Sequence, residues 1–164
     1  MSREKSKRLH EPGAPYSASR SATGVETDPL FHARLLGLRV QDKLSLAAKV
    51  EDGFSYQSFI RLQKAADLTR EQLADLVQIT QRTLARRKAQ GRLKTDESER
   101  LLRVSRVFNL AVDLHEGDPQ AARVWLERPN RALNGKPPFE LARTEVGARE
   151  VETLVTRLEH GVFS

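Results

Sequence analysis

The sequence predicts an all-α chain in which a helix-turn-helix head is followed by a helical C-terminal unit. Three observations carry this expectation. Apolar residues recur at three- and four-residue steps, and no segment alternates with strand period over a useful length. Residues 68–88 read as two short helices joined by a tight turn. Thr69 and Gln72 have capping-box spacing, Leu73, Leu76 and Val77 form one apolar stripe, and Gln78-Ile79 interrupts it. Thr80 then restarts the helix as an N-cap, with Leu84 turned inward. Finally, six cations (Arg82, Arg86, Arg87, Lys88, Arg92 and Lys94) fall within residues 78–94 without an acid among them. A capped basic helix after a short helix and turn is the pattern of a DNA reader.

The remaining elements follow from caps and stripes. Residues 1–27 are polar, with Arg3, Lys5, Lys7, Arg8 and Arg20 set against Glu4, Glu11 and Glu26. They hold too little apolar mass to offset their ordering entropy and read as a disordered basic arm. Asp28-Pro29 predicts a helix start, Leu30, Phe31, Leu35 and Leu36 its apolar face, and Gly37 its end. Val40, Leu44, Leu46, Ala47 and Val50 predict a second helix closed by Gly53. Ser55 caps a third over residues 56–66, with Phe59, Leu62 and Ala66 inward. Gly91 ends the basic helix. Thr95 is the expected cap of a long helix reaching about His115, with Asp96, Glu97 and Glu99 at its positive end.

Leu101, Val104, Phe108, Ala111 and Val112, widened by Leu102, Leu110 and Leu114, give that helix an apolar face broad enough for burial on several sides. Phe108 and Val112 fit either an internal spine or a subunit seam. Asp118-Pro119 starts the next helix, with Ala122, Val124, Trp125 and Leu126 apolar and Pro129 as its stop. Residues 130–138 form a loop by their Asn, Gly and Pro content, and residues 139–143 about one helical turn. Thr144 caps the last helix. Ala148, Val151, Leu154, Val155 and Leu158 line one of its faces, and Gly161 ends it. The expected organisation is an arm at 1–27, a head at 28–94 and a C-terminal unit at 95–164.

Composition narrows the function. The net charge of +6 and pI of about 10.0 favour a polyanionic partner. The chain has no cysteine, which removes disulfides and thiolate metal sites. No apolar run approaches the roughly 18 residues of a membrane span, and no signal-peptide core is present, so the expectation is a soluble cytoplasmic protein without a membrane partner. There is no phosphate loop, Gly-rich dinucleotide turn, metal-ligand spacing or nucleophile with its base, so neither enzyme activity nor a cofactor or metal is expected. His10, His32, His115 and His160 are scattered. His115 and His160 fall near helix C-termini, where the dipole favours imidazolium. Glu97 with Arg100 and Glu99 with Arg103 have the spacing of helical ion pairs.

Three stretches resemble a known family. Thr83-Leu84-Ala85-Arg86-Arg87-Lys88 with Gly91-Arg92-Leu93 resembles the head of Xre-like antitoxins. Trp125-Leu126 with Pro129-Asn130-Arg131-Ala132-Leu133-Asn134-Gly135-Lys136-Pro137-Pro138 resembles the loop of the Xre/MbcA/ParS antitoxins. Thr144-Glu145-Val146-Gly147-Ala148-Arg149-Glu150-Val151, closing on Leu158-Glu159-His160-Gly161-Val162, resembles their tail. The one departure is Asn134, where the family often has Gly. The resemblance covers residues 45 to 164. It implies an all-helical antitoxin with an Xre/Cro-like head that represses its own operon, and a C-terminal domain that binds and blocks a RES-domain toxin acting on NAD.

In a recognition helix capped by Thr80, Gln81, Arg82, Ala85 and Arg86 fall on the outer side. Gln81 suits adenine, Arg82 and Arg86 suit guanine, and Thr83 suits a phosphate. Lys88, Arg92 and Lys94 add salt-dependent phosphate affinity. Arg87 sits where a core residue is common, and its expected compromise is a buried stem with an outward guanidinium. Reading two half-sites requires a homodimer, with the broad face of residues 101–114 as one candidate seam. Residues alone leave the last helix as a packed helix with a solvated outer face. The resemblance makes Asn130, Arg131, Arg149, Glu150, His160, Gly161, Val162 and Phe163 the toxin-binding surface. Two competing readings are a stand-alone regulator whose C-terminal unit only dimerises, and an interaction module without DNA binding.

Overall fold

The computed structural model describes residues 30–161. The basic arm, Asp28-Pro29, Val162 and Phe163 lie outside the described residues. Among those described there is no strand. The only extended pairings among the described residues are isolated bridges, Ser55 with Arg92 and Asn130 with Lys136. The nine α-helices of the described residues are α1 (Phe31–Leu35), α2 (Lys43–Asp52), α3 (Tyr56–Ala65), α4 (Arg70–Leu76), α5 (Gln81–Gln90), α6 (Thr95–Leu114), α7 (Pro119–Glu127), α8 (Pro138–Leu141) and α9 (Glu145–Glu159). A short 3-10 turn, Arg131–Leu133, lies between α7 and α8.

Local chemistry sets most boundaries. The Thr69 hydroxyl accepts from the Gln72 amide at 3.1 Å, and the Gln72 side chain accepts from the Thr69 amide at 2.8 Å. The Thr80 hydroxyl accepts from the Thr83 amide at 3.2 Å, which starts α5. Between these helices Gln78 takes a left-handed conformation, φ 53°. Gly91 closes α5 at φ 74° and Asp118 caps α7, as expected.

Four boundaries differ from expectation, the mildest being α8, which spans Pro138–Leu141 rather than residues 139–143. α1 starts after Leu30, which offers no side-chain cap. α2 starts from an Asp42–Ser45 capping box, which leaves Val40 before the helix. α6 is capped at Lys94, not Thr95: the Glu97 carboxylate accepts from the Lys94 amide at 2.8 Å, and the Thr95 hydroxyl donates across to the Glu51 carbonyl at 2.9 Å.

α6 is the spine, packed by α1 and α2 on the head side and by α7 and α9 on the C-terminal side. Its Leu101, Val104, Val107, Phe108, Ala111 and Val112 are all buried within one chain. The broad stripe is therefore internal, and Phe108 and Val112 are not available as a subunit seam. Three apolar expectations fail, Ala47 on α2 among them. Leu44 is 83% exposed and Val124 is exposed on α7. In short helices a three-to-four spacing fits two faces, and here Leu46 and Val50, then Ala122 and Leu126, take the inward one.

Polar contacts join head to C-terminal unit. Arg123 on α7 donates to the Asp67 carbonyl at 2.7 Å and to its carboxylate at 2.8 Å. Arg100 on α6 donates to the Val77 carbonyl at 2.8 Å, just before α5. The first link ties α7 to the turn before α4, and the second ties the spine to the turn before α5. No helix among the described residues is long and apolar enough to cross a membrane.

Candidate functional site

Two surfaces carry chemistry, one on α5 and one on α9. On α5, Thr80 as N-cap turns Leu84 into the core and leaves Gln81, Arg82, Ala85, Arg86 and Lys88 exposed. Arg82, Arg86 and Lys88 make no ion pair among the described residues. Three positive charges therefore stand free on one short helix. Thr83 is half-buried, and its hydroxyl accepts from Thr80 at 3.0 Å. Arg92 is exposed, but one guanidinium nitrogen donates to the Asp52 carbonyl at 2.8 Å, which holds the turn after α5 against α2. The structure thus brings Gln81, Arg82, Arg86 and Lys88 together and gives Thr83 and Arg92 structural bonds as well.

Arg87 does not snorkel. Its side chain and that of Glu97 are each only 5% exposed, and its Nε lies 2.7 Å from the Glu97 carboxylate. A second nitrogen donates to Gln90 at 2.9 Å. The Glu97 hydrogen bond holds the guanidinium firmly protonated. Burial pushes the Glu97 carboxyl up, but the hydrogen bonds from Arg87 and the Lys94 amide outweigh it and hold the pKa below its ordinary value of 4.5. This pair ties the basic helix to the spine and removes one cation from the six.

It also corrects the expected pairing of Glu97 with Arg100, which instead bonds Asp96 at 3.0 Å. Arg103 does not pair with Glu99 either. Its buried Nε has no hydrogen-bond partner, and burial lowers the pKa of its guanidinium.

The C-terminal surface is built from a loop and a helix. The Asn130 side chain accepts from the Ala132 amide at 2.9 Å, and its carbonyl accepts from Gly135 at 2.9 Å. Asn134 takes φ 55°, a left-handed conformation that Asn tolerates among non-glycine residues, so the departure from Gly keeps the turn. Arg131 is exposed at its tip.

α9 runs along α6 in the same direction. Arg106 of α6 holds Glu145 at 3.0 Å and also pairs with Glu152. Gly147 is the close-approach point, since a Cβ there would stand 2.2 Å from the Leu141 carbonyl oxygen. Ala148, Val151, Leu154 and Val155 face inward as expected. The opposite face presents Val146, Arg149, Glu150, Thr153 and Arg157 to solvent. Val146 is 75% exposed. Sequence spacing alone gives it no role, although its place three residues before Arg149 puts it on that same outer face.

His160 follows α9 as its C-cap, with Gly161 beside it, both exposed. His115 caps α6, its Nδ1 2.8 Å from the Ala111 carbonyl and its ring tilted against Trp125. Among the described residues no group of His, Asp or Glu is arranged to hold a metal.

Comparison with known proteins bears on both surfaces. Residues 45–106 match the model of the family described as the antitoxin Xre-like helix-turn-helix domain. Residues 110–161 match that of the antitoxin Xre/MbcA/ParS C-terminal toxin-binding domain. The antitoxin Xre of Yersinia enterocolitica is 37% identical over 132 residues, covering 80% of this chain and 89% of its own. The antitoxin Xre of Photorhabdus laumondii is 32% identical over 141 residues, covering 85% of this chain and 94% of its own. Among solved structures, a chain of the M. tuberculosis MbcT–MbcA toxin–antitoxin complex superposes with a TM-score of 0.51 at 25% identity, over 73% of this chain and 97% of that one.

Proposed function

The chain belongs to the Xre-like family of antitoxins, and on that premise we propose that it neutralises a RES-domain, NAD-consuming toxin by binding while repressing its own operon through the head. In this reading it is a cytoplasmic binding protein rather than a catalyst, it needs no cofactor, and it works as a homodimer within the toxin complex. The division is functional. Residues 28–94 carry DNA binding and residues 95–164 carry toxin binding, with α6 shared as the frame.

The observation that carries the inhibitory half is the outer face of α9. An exposed valine beside Arg149, whose side chain is 72% exposed, and Glu150 is an apolar anchor ringed by charge. The exposed Arg131, His160 and Gly161, together with Asn130, are further toxin contacts in this reading, and Val162 and Phe163, which lie outside the described residues, are assigned to toxin binding with them. Inhibition is steric, because the antitoxin covers the mouth of the toxin's cleft. The DNA half rests on Gln81, Arg82, Thr83, Arg86, Lys88 and Arg92, with the free cations supplying phosphate affinity and Gln81 and Arg86 the base contacts.

Co-expression with the toxin of the adjoining gene tests the reading. The intact chain restores growth and copurifies with the toxin. Val146→Glu and Arg149→Glu weaken copurification, and deletion of residues 162–164 releases toxicity. Growth arrest that the intact chain cannot relieve, alongside tight promoter binding, would replace this reading with a stand-alone regulator.

A further inference from the structure

Arg103 is a cation that the fold leaves unmatched. It lies on α6 between Arg100 and Arg106, three residues from each. Both neighbours are engaged. Arg100 bonds the Val77 carbonyl and Asp96, and Arg106 holds Glu145 and Glu152. Arg103 itself makes no hydrogen bond or ion pair among the described residues. Its Nε is buried without a partner, while its two terminal nitrogens are open to solvent. Burial lowers the pKa of this guanidinium. The attraction of Glu145 offsets part of that effect, and Arg100 and Arg106 add to it. A half-buried charge beside two like charges costs stability, and groups that break local electrostatic rules in this way concentrate at functional sites.

The missing charge is negative, and the neighbourhood shows from which side it comes. Glu145 is the acid that acts on Arg103 most strongly. It is already shared by Arg106 at 3.0 Å and Arg149 at 3.4 Å. Glu152 serves Arg106 as well. Three guanidinia thus share two carboxylates on this side of α9. Glu99, one turn earlier on α6, is exposed and does not pair with Arg103. Val146, the exposed apolar residue of the outer face, follows Glu145 directly in the chain.

We propose that Arg103 is a toxin-contact residue whose guanidinium receives an Asp or Glu carboxylate of the toxin, seated beside the Val146 anchor. The proposal rests on the reading that α9 carries toxin binding, and it names the chemistry that the toxin presents there. Because Nε is dry, the carboxylate meets the two terminal nitrogens end-on, in a fork that matches its two oxygens. Docking shields the pair from water and strengthens it relative to an exposed one. A DNA phosphate fits the same fork, but the free cations of the head lie on α5, whereas Arg103 is linked through Glu145 to α9.

Titration of the full chain onto the purified toxin of the adjoining gene tests the proposal, with thermal melts of the free chain alongside. Arg103→Met keeps the apolar stem and removes the charge. It is expected to weaken toxin binding about tenfold or more. The melting temperature of the free chain stays unchanged or rises, because no partner is lost and a repulsion is relieved. Arg103→Glu weakens binding further. Added salt lowers the affinity of the natural chain more steeply than that of Arg103→Met.

Toxin affinity unchanged by Arg103→Met removes Arg103 from the interface. A melting temperature lowered by that variant assigns the guanidinium to the fold instead and also overturns the proposal. Operator affinity lost with toxin binding intact makes the anion a DNA phosphate and overturns the carboxylate. A natural chain that does not bind the toxin removes the toxin-binding reading itself, and the role of Arg103 with it.

Discussion

Arg87 belongs by sequence to a run of six cations, yet it contributes nothing to the surface. Its partner Glu97 lies ten residues on, beyond the end of α5 and inside the next helix, so no within-helix spacing rule reaches it. Sequence makes the buried stem legible but not the direction of the guanidinium. Breaking the pair leaves an uncompensated buried charge. Glu97→Ala or Arg87→Ala is therefore expected to cost about 3–5 kcal/mol of unfolding free energy in a urea titration, while replacing both residues with apolar ones of similar volume costs far less. The folded carboxyl of Glu97 sits below its ordinary value, so its contribution is complete above about 4.5 and fades as pH falls through the lower, folded value. Glu97→Gln should flatten that acid limb.

Asp113 has the opposite sign. Burial, then the charge of Glu159, pushes its carboxyl above the ordinary 3.8, so the ionised form costs stability at neutral pH and the cost is relieved on acidification. Asp113→Asn is expected to raise the melting temperature at pH 7 and to leave it nearly unchanged at pH 3. The Asn109 side-chain amide, 3.3 Å from the Asp113 carboxylate, can still be accepted by the new amide oxygen.

Among the elements, those with local caps were legible and those fixed by distant contacts were not. The Thr69–Gln72 box and the Thr80 and Thr144 caps each close within three residues, and all three helices begin where the sequence places them. The start of α6 was misplaced by one residue because Glu97, not Thr95, satisfies the end of the helix. The inward face of α2 was ambiguous because a ten-residue helix offers too few turns to separate two candidate stripes. The candidate DNA surface on α5 follows from its cap, whereas Val146 on α9 carries no sequence signal, since an isolated valine reads equally well as core.

Gly147 shows how tightly α9 depends on its neighbour. A methyl group there would meet the backbone carbonyl of Leu141, an atom that cannot swing aside. Gly147→Ala is expected to displace the start of α9 from α8, lower stability by about 1–3 kcal/mol and weaken toxin binding. Thermal melts and a pull-down on the same variant check both effects.

At the scale of the molecule, one spine carries two surfaces of different chemistry. α6 grips the basic helix through Arg87–Glu97 and the turn before it through Arg100. Through Arg106 and its apolar face it also carries α9. The free cations of α5 and the valine-centred face of α9 lie on separate elements, so the proposed activities are separable by single substitutions. The most direct measurement is NAD consumption by the purified toxin of the adjoining gene, titrated with this chain and two of its variants. The account predicts stoichiometric inhibition by the natural chain and by Arg86→Ala, which loses only operator affinity, and loss of inhibition by Val146→Glu. Inhibition that survives Val146→Glu but fails with Arg86→Ala would contradict it.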